Sequence, residues 1–356
     1  MAKTGNNTYK RQDGNWEGHN IKSDFNEKLS DDCLLQNQNF TEGTQLTFGE
    51  AAEQWLYNAS IRIKTSTYAS YLGVLSNRIL PIMGGYKLQT FSSSLIDSFT
   101  KTMLSTGRKD GKGGLSPKTV RDTLVVVKSI LDFAHKSNPS ASDLKITYPK
   151  SGRKLIRVFS RHEQNALEQV LKDKPDKYKT GILLCLYTGL RIGEICALLW
   201  KNISLDMGVI SVKQTLQRVK NMDKSASNKT MIIIDAPKTI CSIRDIPLSS
   251  NMVRHLSAFY TGEDGYFLSD SRSGITEPRT LQNHFKNYVK TAGIASANYH
   301  CTRHTFATRC IEAGMDVKSL SEILGHSNVN ITLNRYVHSS FEQKREGINQ
   351  LEKLFE

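Results

Sequence analysis

The sequence has no long apolar run and no apolar leader. No stretch approaches the roughly 20 apolar residues that a transmembrane helix needs. The N-terminus, MAKTGNNTYKRQDGNWEGHN, also lacks the apolar core of a secretory signal. We therefore expect a cytoplasmic protein with no membrane association.

Paired cysteines are also missing. No Cys-x-x-Cys pair occurs, which argues against a zinc site and a disulfide framework and suits a reducing compartment. We expect buried free thiols. No carboxylate cluster suggests a metal, so neither a metal nor another cofactor is expected. The cysteines are Cys33, Cys185, Cys196, Cys241, Cys301 and Cys310.

Acidic residues are in deficit, and this is the informative feature of the composition. The chain has 48 Lys and Arg against 34 Asp and Glu, a formal net charge of +14. A basic surface of this size favours a polyanionic partner. Nucleic acid is favoured over a membrane, because no lysine-rich amphipathic helix with a bulky apolar face is present.

A length of 356 residues predicts two domains with room for a small extra piece. Residues 1–46 are polar and poor in aliphatics. Within them Asp13-Gly14 is a turn signal flanked by Tyr9 and Trp16, which predicts a short hairpin. A piece this small cannot bury a core, so it is an appendage or partly disordered.

Residues 47–137 predict a compact helical domain of about four helices. Thr47 and Glu50 form a capping-box pattern at its start. Ser116 and Pro117 open its clearest helix, SPKTVRDTLVVVKSILDFAHK. Residues 138–156 have little periodicity and several Lys and Arg, which predicts a basic linker that follows a phosphate backbone.

Residues 157–340 predict an α+β domain with a small antiparallel sheet. The stretches RHEQNALEQVLKD and TGILLCLYTGLRIGEICALLW each have a helical pattern. Three strand-like runs follow, GVISVKQTL, TMIIIDAP and SIRDIPLS. Helices are predicted again over 249–260, 278–292, 302–324 and beyond Asn328. Residues 341–356 predict a last helix with an apolar stripe of Phe341, Ile348, Leu351 and Leu354.

Four short stretches of this domain hold residues capable of chemistry. On a helix, residues three positions apart share a face, so Arg191 and Glu194 are expected to share one, and so are His300 and Arg303. Taken singly, each has an ordinary structural reading: an intrahelical ion pair, a core or surface histidine, a tyrosine on a terminal helix. The residues are Arg191 and Glu194 in TGLRIGE, His300 and Arg303 in HCTR, His326 after the capping Gly325 in LGH, and Tyr336 in NRY.

Taken together and in this order, the stretches resemble the tyrosine recombinase (phage integrase) family. The family pattern is an arginine in TGLRxxE, then H-x-x-R, then LGH, then a tyrosine about ten residues on. The family's lysine lies in a β-hairpin between two strands, and Lys238 in APKTICSIRDIPLS occupies that place. The resemblance covers residues 47 to about 340 and is closest to integrases of conjugative transposons and phages.

The resemblance implies a mainly α fold, in which a helical core-binding domain and the α+β catalytic domain form a C-shaped clamp on DNA. It also implies a bacterial, DNA-associated enzyme. Residues YKRQDGNWEGHNIK resemble the start of an arm-binding domain of conjugative-transposon integrases. The acidic continuation SDFNEKLSDDCLLQNQ departs from that pattern, so arm binding and a flexible tail both stay open.

The chemistry of these residue types agrees with the resemblance. A tyrosine with a pKa near 10 is about one part in a thousand phenolate at pH 7, a cost of roughly 4 kcal/mol. It therefore needs cationic surroundings and a positioned base. Arginines match phosphate oxygens with a planar fork and keep their proton, and fixed cations stabilise the charge that builds in the transition state.

The resemblance assigns the roles. Tyr336 attacks a DNA phosphodiester to form a 3′-phosphotyrosyl link, a stored bond that removes the need for ATP. Lys238 acts as general acid on the 5′ oxygen, and His300 is the expected proton acceptor for the tyrosine. Arg191 and Arg303 clamp the phosphate, His326 donates a hydrogen bond to it, and Glu194 holds the arginines.

The expected partner is double-stranded DNA with specific recombination sites, bound by a homotetramer of chains that are monomeric in free solution. The tail 341–356 is expected to dock on a neighbouring subunit; packing on its own domain is the alternative. The resemblance leaves room for an accessory directionality factor. The resemblance favours a site-specific recombinase that integrates and excises a mobile element. Resolution of replicon dimers and a type IB topoisomerase are the alternatives, and the intact set of residues argues against an inactive DNA-binding regulator. Whether Tyr336 acts in cis or in trans stays open.

Overall fold

The computed structural model describes residues 8–10, 16–18, 46–137, 144–152, 156–221, 227–236, 240–260, 265–269, 274–337, 345 and 348–349. The chain divides into two compact units. The first comprises Met1–Lys154 with Val219–Met231, and the second Leu155–Arg218 with Ile232–Glu356. None of the described helices is long and apolar enough to cross a membrane.

The first unit is helical, as its sequence pattern predicts. The Thr47–Glu50 capping box is present: Thr47 Oγ1 accepts from the Glu50 amide, and the Glu50 carboxylate accepts from the Thr47 amide at 2.8 Å. A π-helical turn, Leu75–Ile79, joins the second and third helices. The helices are α1 (Phe48–Ser60), α2 (Thr65–Val74), α3 (Leu80–Met83), α4 (Ser93–Thr106) and α5 (Pro117–Ser137).

The first unit also includes the predicted N-terminal hairpin and most of the predicted linker. Strands β1 (Thr8–Lys10) and β2 (Trp16–Gly18) pair antiparallel, with Lys10 opposite Trp16; the predicted Asp13-Gly14 turn lies outside the described residues. In the stretch predicted as a linker, residues 144–152 have no helix or strand. Ile146 is nevertheless buried in the core of the first unit.

The second unit is built around a helix that is buried on nearly all sides. This helix, α7 (Lys177–Thr188), contributes Ile182, Leu184 and Leu186 to a core shared with the helices before and after it. Hydrophobic residues all round a helix are the pattern of a core helix. The helices are α6 (Arg161–Lys172), α7 (Lys177–Thr188), α8 (Ile192–Ala197), α9 (Ser250–Ser257), α10 (Pro278–Thr291), α11 (His300–Glu312), α12 (Val317–Leu324) and α13 (Val329–Tyr336).

The described strands of the second half of the chain form two small sheets. Strands β3 (Ile203–Ser204), β4 (Val209–Val212) and β7 (Arg244–Pro247) make a small antiparallel sheet in the order β3-β4-β7. A small antiparallel sheet was predicted, but β3 was not among the predicted strands. Strands β5 (Thr215–Lys220) and β6 (Thr230–Asp235) pair separately. The run GVISVKQTL, predicted as one strand, therefore spans β4 and the start of β5.

Two stretches that were each predicted as one continuous helix are each divided into two helices. The stretch TGILLCLYTGLRIGEICALLW is broken at Gly189, and the helix predicted over 302–324 is broken at Gly314. Both glycines have positive φ, 66° and 84°, a conformation that ends a helix and that glycine adopts without strain. Of the predicted last helix, only residues 345, 348 and 349 are described, and they are helical.

Candidate active site

The break at Gly189 determines where Arg191 lies. A Cβ at Gly189 would lie 2.5 Å from the ring of Phe306, so the tight turn between α7 and α8 requires glycine. Arg191 then takes an extended conformation as the N-cap of α8. The expectation that Arg191 and Glu194 share a helix face was wrong, because only Glu194 is in the helix. Glu194 instead folds back, and its Oε2 accepts from the Arg191 amide at 2.9 Å.

Glu194 joins two arginines in the interior of the second unit. Its Oε1 accepts from Arg191 Nη1 at 2.7 Å, and its Oε2 accepts from Arg244 Nη2 at 2.9 Å. Burial acts to raise the pKa of Glu194, but Arg244 and then Arg191 outweigh it, so this pKa lies below its usual value. The predicted contact of Glu194 with Arg191 is thus present, and Arg244 is an additional partner.

Arg244 was not among the residues predicted for the site. It lies on β7, in the run SIRDIPLS, where an arginine beside an aspartate is typical of an exposed strand position. Besides its bonds to Glu194, it donates to the carbonyls of Ser242 and Ile323. No local pattern could have predicted this, because Glu194 lies 50 residues away in the chain.

Arg303 is the most deeply placed cation of the site. Its side chain is among the largest that are fully buried, with 2% exposure. Nη1 donates to the Gly189 carbonyl at 2.8 Å, and Nη2 donates to the Leu324 carbonyl at 2.6 Å. Burial, and next the charge of Arg191, lower the pKa of Arg303 to about 9, so it stays protonated at neutral pH. Arg303 therefore connects the ends of α7 and α12.

His326 follows the left-handed cap of α12. Gly325 has φ 64°, as its sequence position predicts, and its carbonyl accepts from Arg191 Nη2 at 3.1 Å. Arg303 Nη2 lies 3.0 Å from His326 Nε2, and a guanidinium has only donors, so Nε2 accepts. Nδ1 then carries the proton of the neutral ring and donates to Thr332 Oγ1 at 2.8 Å.

This arrangement bears on the expected role of His326. Burial, and next Arg303 and Arg191, lower the pKa of His326 to about 3, so the ring is neutral at pH 7. Its Nε2 is an acceptor here and donates nothing. The expected hydrogen bond from His326 to a phosphate therefore requires the ring to gain a proton or to leave Arg303, and a phosphate anion favours both.

Tyr336 is the last residue of α13 and is buried, with 7% exposure. A hydrogen bond of 2.7 Å joins its Oη to Nδ1 of His304. Burial raises the pKa of Tyr336, while Arg303 and Arg335 act in the opposite direction. The phenol is therefore protonated at neutral pH and faces both a histidine and a group of cations.

His304 is a residue that the sequence reasoning missed. It directly follows Arg303 in HCTRHTFATRC, and only the pairing with Tyr336 distinguishes it from a core histidine. His300, the expected partner of Tyr336, lies one turn earlier on α11 and packs edge-to-face on His304, with ring centroids 4.5 Å apart. The described hydrogen bond of Tyr336 to a histidine thus involves His304 rather than His300.

His300 has an exposed edge and lines a cleft of about 250 Å³ together with Gln282, Asn298 and Arg303. Desolvation of the rest of its ring, and next Arg303, lower the pKa of His300 to about 4. The ring is therefore neutral at pH 7 and accessible from the cleft. Its predicted role as proton acceptor stays a prediction.

Lys238 lies outside the described residues, between β6 and β7. Its predicted position in a β-hairpin therefore stays a prediction. Among the described residues β6 pairs with β5, and β7 pairs with β4. In the sequence Lys238 lies between β4 and β7, which are antiparallel neighbours.

The assembled site combines fixed cations with neutral bases around one phenol. Such a set can bind a phosphodiester, stabilise charge on its oxygens and take up the proton of a tyrosine. In the described part of the chain no group of three or more His, Cys, Asp or Glu side chains is arranged to hold a metal ion. Four of the five described cysteines are buried free thiols as expected, and Cys241 is exposed.

The chain belongs to the phage integrase family, the tyrosine recombinases, which are enzymes that cleave and rejoin DNA. The sequence profile of this family matches residues 157–343, more than half of the chain. A profile of the N-terminal SAM-like domain of phage integrases matches residues 47–104. The family suggested by the sequence motifs is thereby confirmed.

Individual relatives agree with this assignment. A tyrosine recombinase XerC-like protein of Caldanaerobacter subterraneus subsp. tengcongensis is 25% identical, with 95% of this chain and 93% of the relative covered. The tyrosine recombinase XerC of Xanthomonas campestris pv. campestris is 27% identical over 64% of this chain and 66% of its own.

Solved structures show the same fold. The Tn1549 transposon integrase in complex with a circular intermediate DNA has a TM-score of 0.70 at 23% identity, and the match covers 86% of this chain and 99% of that one. A lambda integrase tetramer bound to a Holliday junction has a TM-score of 0.59 at 16% identity, with 95% of each chain covered.

Proposed function

We propose that this protein is a site-specific DNA recombinase of the integrase type, which integrates and excises a mobile element through a 3′-phosphotyrosyl intermediate, without ATP or metal. One observation carries the proposal: the Tyr336 hydroxyl bonds His304 and lies close enough to the buried Arg303 to feel its charge. Arg303 also bonds His326, and Arg191 bonds the Gly325 carbonyl beside it. The family's chemistry requires this combination of nucleophile, base and phosphate-binding cations.

The roles below are part of the proposal, and the geometry of the described residues supports those of Arg191, Arg303 and Tyr336. Arg191 keeps one Nη1 bond to Glu194 and remains about a third exposed, so it can also reach a phosphate oxygen. Arg303 is the second cation, and its bonds to two backbone carbonyls fix its position. Tyr336 Oη attacks phosphorus, the bond to the 5′ oxygen breaks, and Lys238 gives that oxygen its proton. Attack by another 5′ hydroxyl on the phosphotyrosine reverses the step and rejoins the strands.

The DNA partner and the assembly are part of the proposal. The net charge of +14 supports binding to a polyanion. Strand exchange between two duplexes needs four active sites, and a lambda integrase tetramer on a Holliday junction is among the structural relatives. We expect free monomers that form a tetramer on DNA, with residues 341–356 docking on a neighbour and an accessory factor setting direction.

The test of the proposal is covalent capture. Wild-type protein incubated with sheared host DNA should give an adduct that survives denaturation, and the attached ends should share one sequence. Tyr336→Phe should bind the same DNA and give no adduct. An adduct formed by Tyr336→Phe would mean that another residue is the nucleophile.

Deletion of residues 341–356 tests the assembly. The truncated protein should still bind a single site and lose cooperative assembly on paired sites, as measured by gel shift and sedimentation. Recombination that survives the deletion would contradict the role given to the tail.

Resolution of replicon dimers is the second candidate, because one relative that matches this chain over nearly its whole length is XerC-like. The sequences of the captured ends separate the two. Ends from a mobile element favour an integrase, and ends from a chromosomal or plasmid site favour a resolvase. Relaxation of a plasmid that lacks any such site would instead indicate a type IB topoisomerase.

A further inference from the structure

The second histidine of HCTRHTFATRC has a contact that the family pattern H-x-x-R does not include. His304 lies on α11, one turn after His300, and is buried with 9% exposure. Its Nδ1 is 2.7 Å from the hydroxyl oxygen of Tyr336, and the two rings are tilted by 52° with centroids 5.7 Å apart. The nucleophile and this ring thus already have hydrogen-bonding geometry.

We propose that His304 is the proton acceptor that activates Tyr336, so that His300 positions it rather than acting as the base. The inference rests on the proposed recombinase function, because it concerns the reaction of Tyr336 with a phosphodiester. His304 would be a catalytic residue, since its Nδ1 contacts the reacting oxygen.

The surroundings of His304 agree with an acceptor. The charged and titratable groups around it are His300 and Arg303 on its own helix, and Arg335 and Tyr336 on α13. Burial, and next His300 and the two arginines, lower the pKa of His304 to about 4. The ring is therefore neutral at pH 7. With its proton on Nε2, the Nδ1 lone pair faces the phenol.

The nucleophile needs such a base. Burial raises the pKa of Tyr336, and the arginines around it only partly oppose this. The fraction of phenolate at neutral pH therefore stays small, and a positioned acceptor supplies the reactive form as the attack proceeds.

The step is balanced in atoms and charge. The phenol proton moves from Tyr336 Oη to His304 Nδ1, the Oη–P bond forms and the bond from phosphorus to the 5′ oxygen breaks. The general acid, Lys238, protonates that oxygen. In the reverse step the imidazolium of His304 returns the proton to Tyr336 as the phosphotyrosine is cleaved.

The contact between His300 and His304 gives His300 a positioning role. Its ring is perpendicular to that of His304, with an interplanar angle of 87°. It therefore limits rotation of His304 about its side-chain bonds. His300 also lines the cleft beside Arg303, where it can contact a phosphate.

The decisive variants are His304→Asn and His300→Asn. An asparagine places its carbonyl oxygen near the position of Nδ1, so His304→Asn can keep a hydrogen bond from Tyr336 but cannot hold the proton. The matched control is His255→Asn on α9, a partly buried histidine that contacts Thr180 outside the site. The probe is a nicked duplex that carries the end sequence captured by the wild-type protein, and the readout is the rate of adduct formation.

We expect His304→Asn to slow adduct formation by about 100-fold or more, the usual size of general base catalysis. Binding of the duplex and thermal stability should match those of the control. The loss should shrink when a fluorinated, more acidic tyrosine replaces Tyr336, which a merely structural defect would not produce. In His304→Asn the rate should also rise steadily with pH from 6 to 9, while the wild-type rate stays nearly flat.

An equal loss with tyrosine and fluorotyrosine in His304→Asn would overturn the proposal. A loss that shrinks with fluorotyrosine in His300→Asn and not in His304→Asn would overturn it as well. A second measurement needs no DNA. Nitrogen NMR of the histidine rings should place the proton of His304 on Nε2, and Tyr336→Phe should shift its Nδ1 resonance. A proton on Nδ1 would overturn the proposal. Failure of the wild-type protein to form any adduct would instead count against the recombinase function.

Discussion

Glu194 and Arg244 form an ion pair that is almost fully withdrawn from water, with side-chain exposures of 3% and 6%. The same carboxylate holds Arg191, which is 35% exposed. Glu194 thus has an inner cation that anchors it and an outer cation that faces the site. The position of Arg191 therefore depends on Arg244, a residue on a strand 50 positions away from Glu194.

Replacing Arg244 by Ala should lower the free energy of unfolding by about 3–5 kcal/mol, because it leaves a buried carboxylate with one partner fewer. Arg218→Ala is the matched control. It removes a two-bonded arginine–glutamate pair, Arg218–Glu277, whose side chains are 40% and 30% exposed, and should cost about 0–1 kcal/mol. Urea unfolding of the two variants measures the difference, and equal losses would contradict the role of Arg244.

Gly325 and Gly293 provide a pair that separates backbone strain from side-chain crowding. Both are left-handed, with φ of 64° and 67°, so alanine at either costs about 1–2 kcal/mol. Only at Gly325 would the new Cβ meet a neighbour, Arg244 Cδ at 3.0 Å; nothing lies within 4 Å at Gly293. Gly325→Ala should be the less stable variant in thermal unfolding.

Gly325→Ala should also slow adduct formation, since Gly325 places His326 and its carbonyl contacts Arg191. Gly293→Ala, on the turn after α10, should leave the rate unchanged. A similar loss of activity in both variants would show that strain alone, and not the crowding of Arg244, affects the site.

The site was partly predictable from the sequence because its motifs are local. The spacing of His300 and Arg303, the cap at Gly325 and the capping box at Thr47 each depend on neighbours within four residues. The break at Gly189 was missed, because glycine is tolerated inside a helical pattern. The left-handed backbone at Gly189 and its close approach to the distant Phe306 and Leu324 are seen only in the folded chain. The contact of His304 with Tyr336 spans 32 residues and depends on how α11 and α13 pack.

Acid should destabilise the protein well above the range in which carboxylates titrate. The pKa values of His300 and His304 are lowered to about 4, and that of His326 to about 3. In the unfolded chain a histidine titrates near 6.5, so between these values the unfolded state binds more protons. The stability due to the neutral rings is complete above about pH 6.5 and is lost as the pH falls towards 4.

Urea midpoints measured from pH 7.5 to 5 test this dependence. The decline should be shallower in His304→Asn than in the wild-type protein. The exposed His162 on α6 provides the control, and His162→Asn should keep the wild-type slope. A decline that begins only below pH 5 would assign the acid sensitivity to carboxylates such as Glu163, whose pKa Arg157 and the Ser160 amide lower to about 2.

Thr332 accepts the proton of His326 Nδ1 and so offers a test of the histidine without changing it. Its buried hydroxyl accepts from His326 Nδ1 at 2.8 Å, which leaves Nε2 as an acceptor towards Arg303. Thr332→Val keeps the shape and removes the acceptor. We expect a loss of roughly 1–3 kcal/mol in stability, the cost of a buried donor without a partner, and a slower formation of the covalent adduct.

Thr332→Ser is the matched control for this prediction. It keeps the hydroxyl and removes one methyl group, so its rate of adduct formation should stay close to that of the wild-type protein. The nitrogen NMR signals of His326 should show a proton on Nδ1 in the wild type and in Thr332→Ser, and exchange between the two nitrogens in Thr332→Val. If valine leaves both the tautomer and the rate unchanged, then the bond from Arg303 alone is sufficient to orient His326.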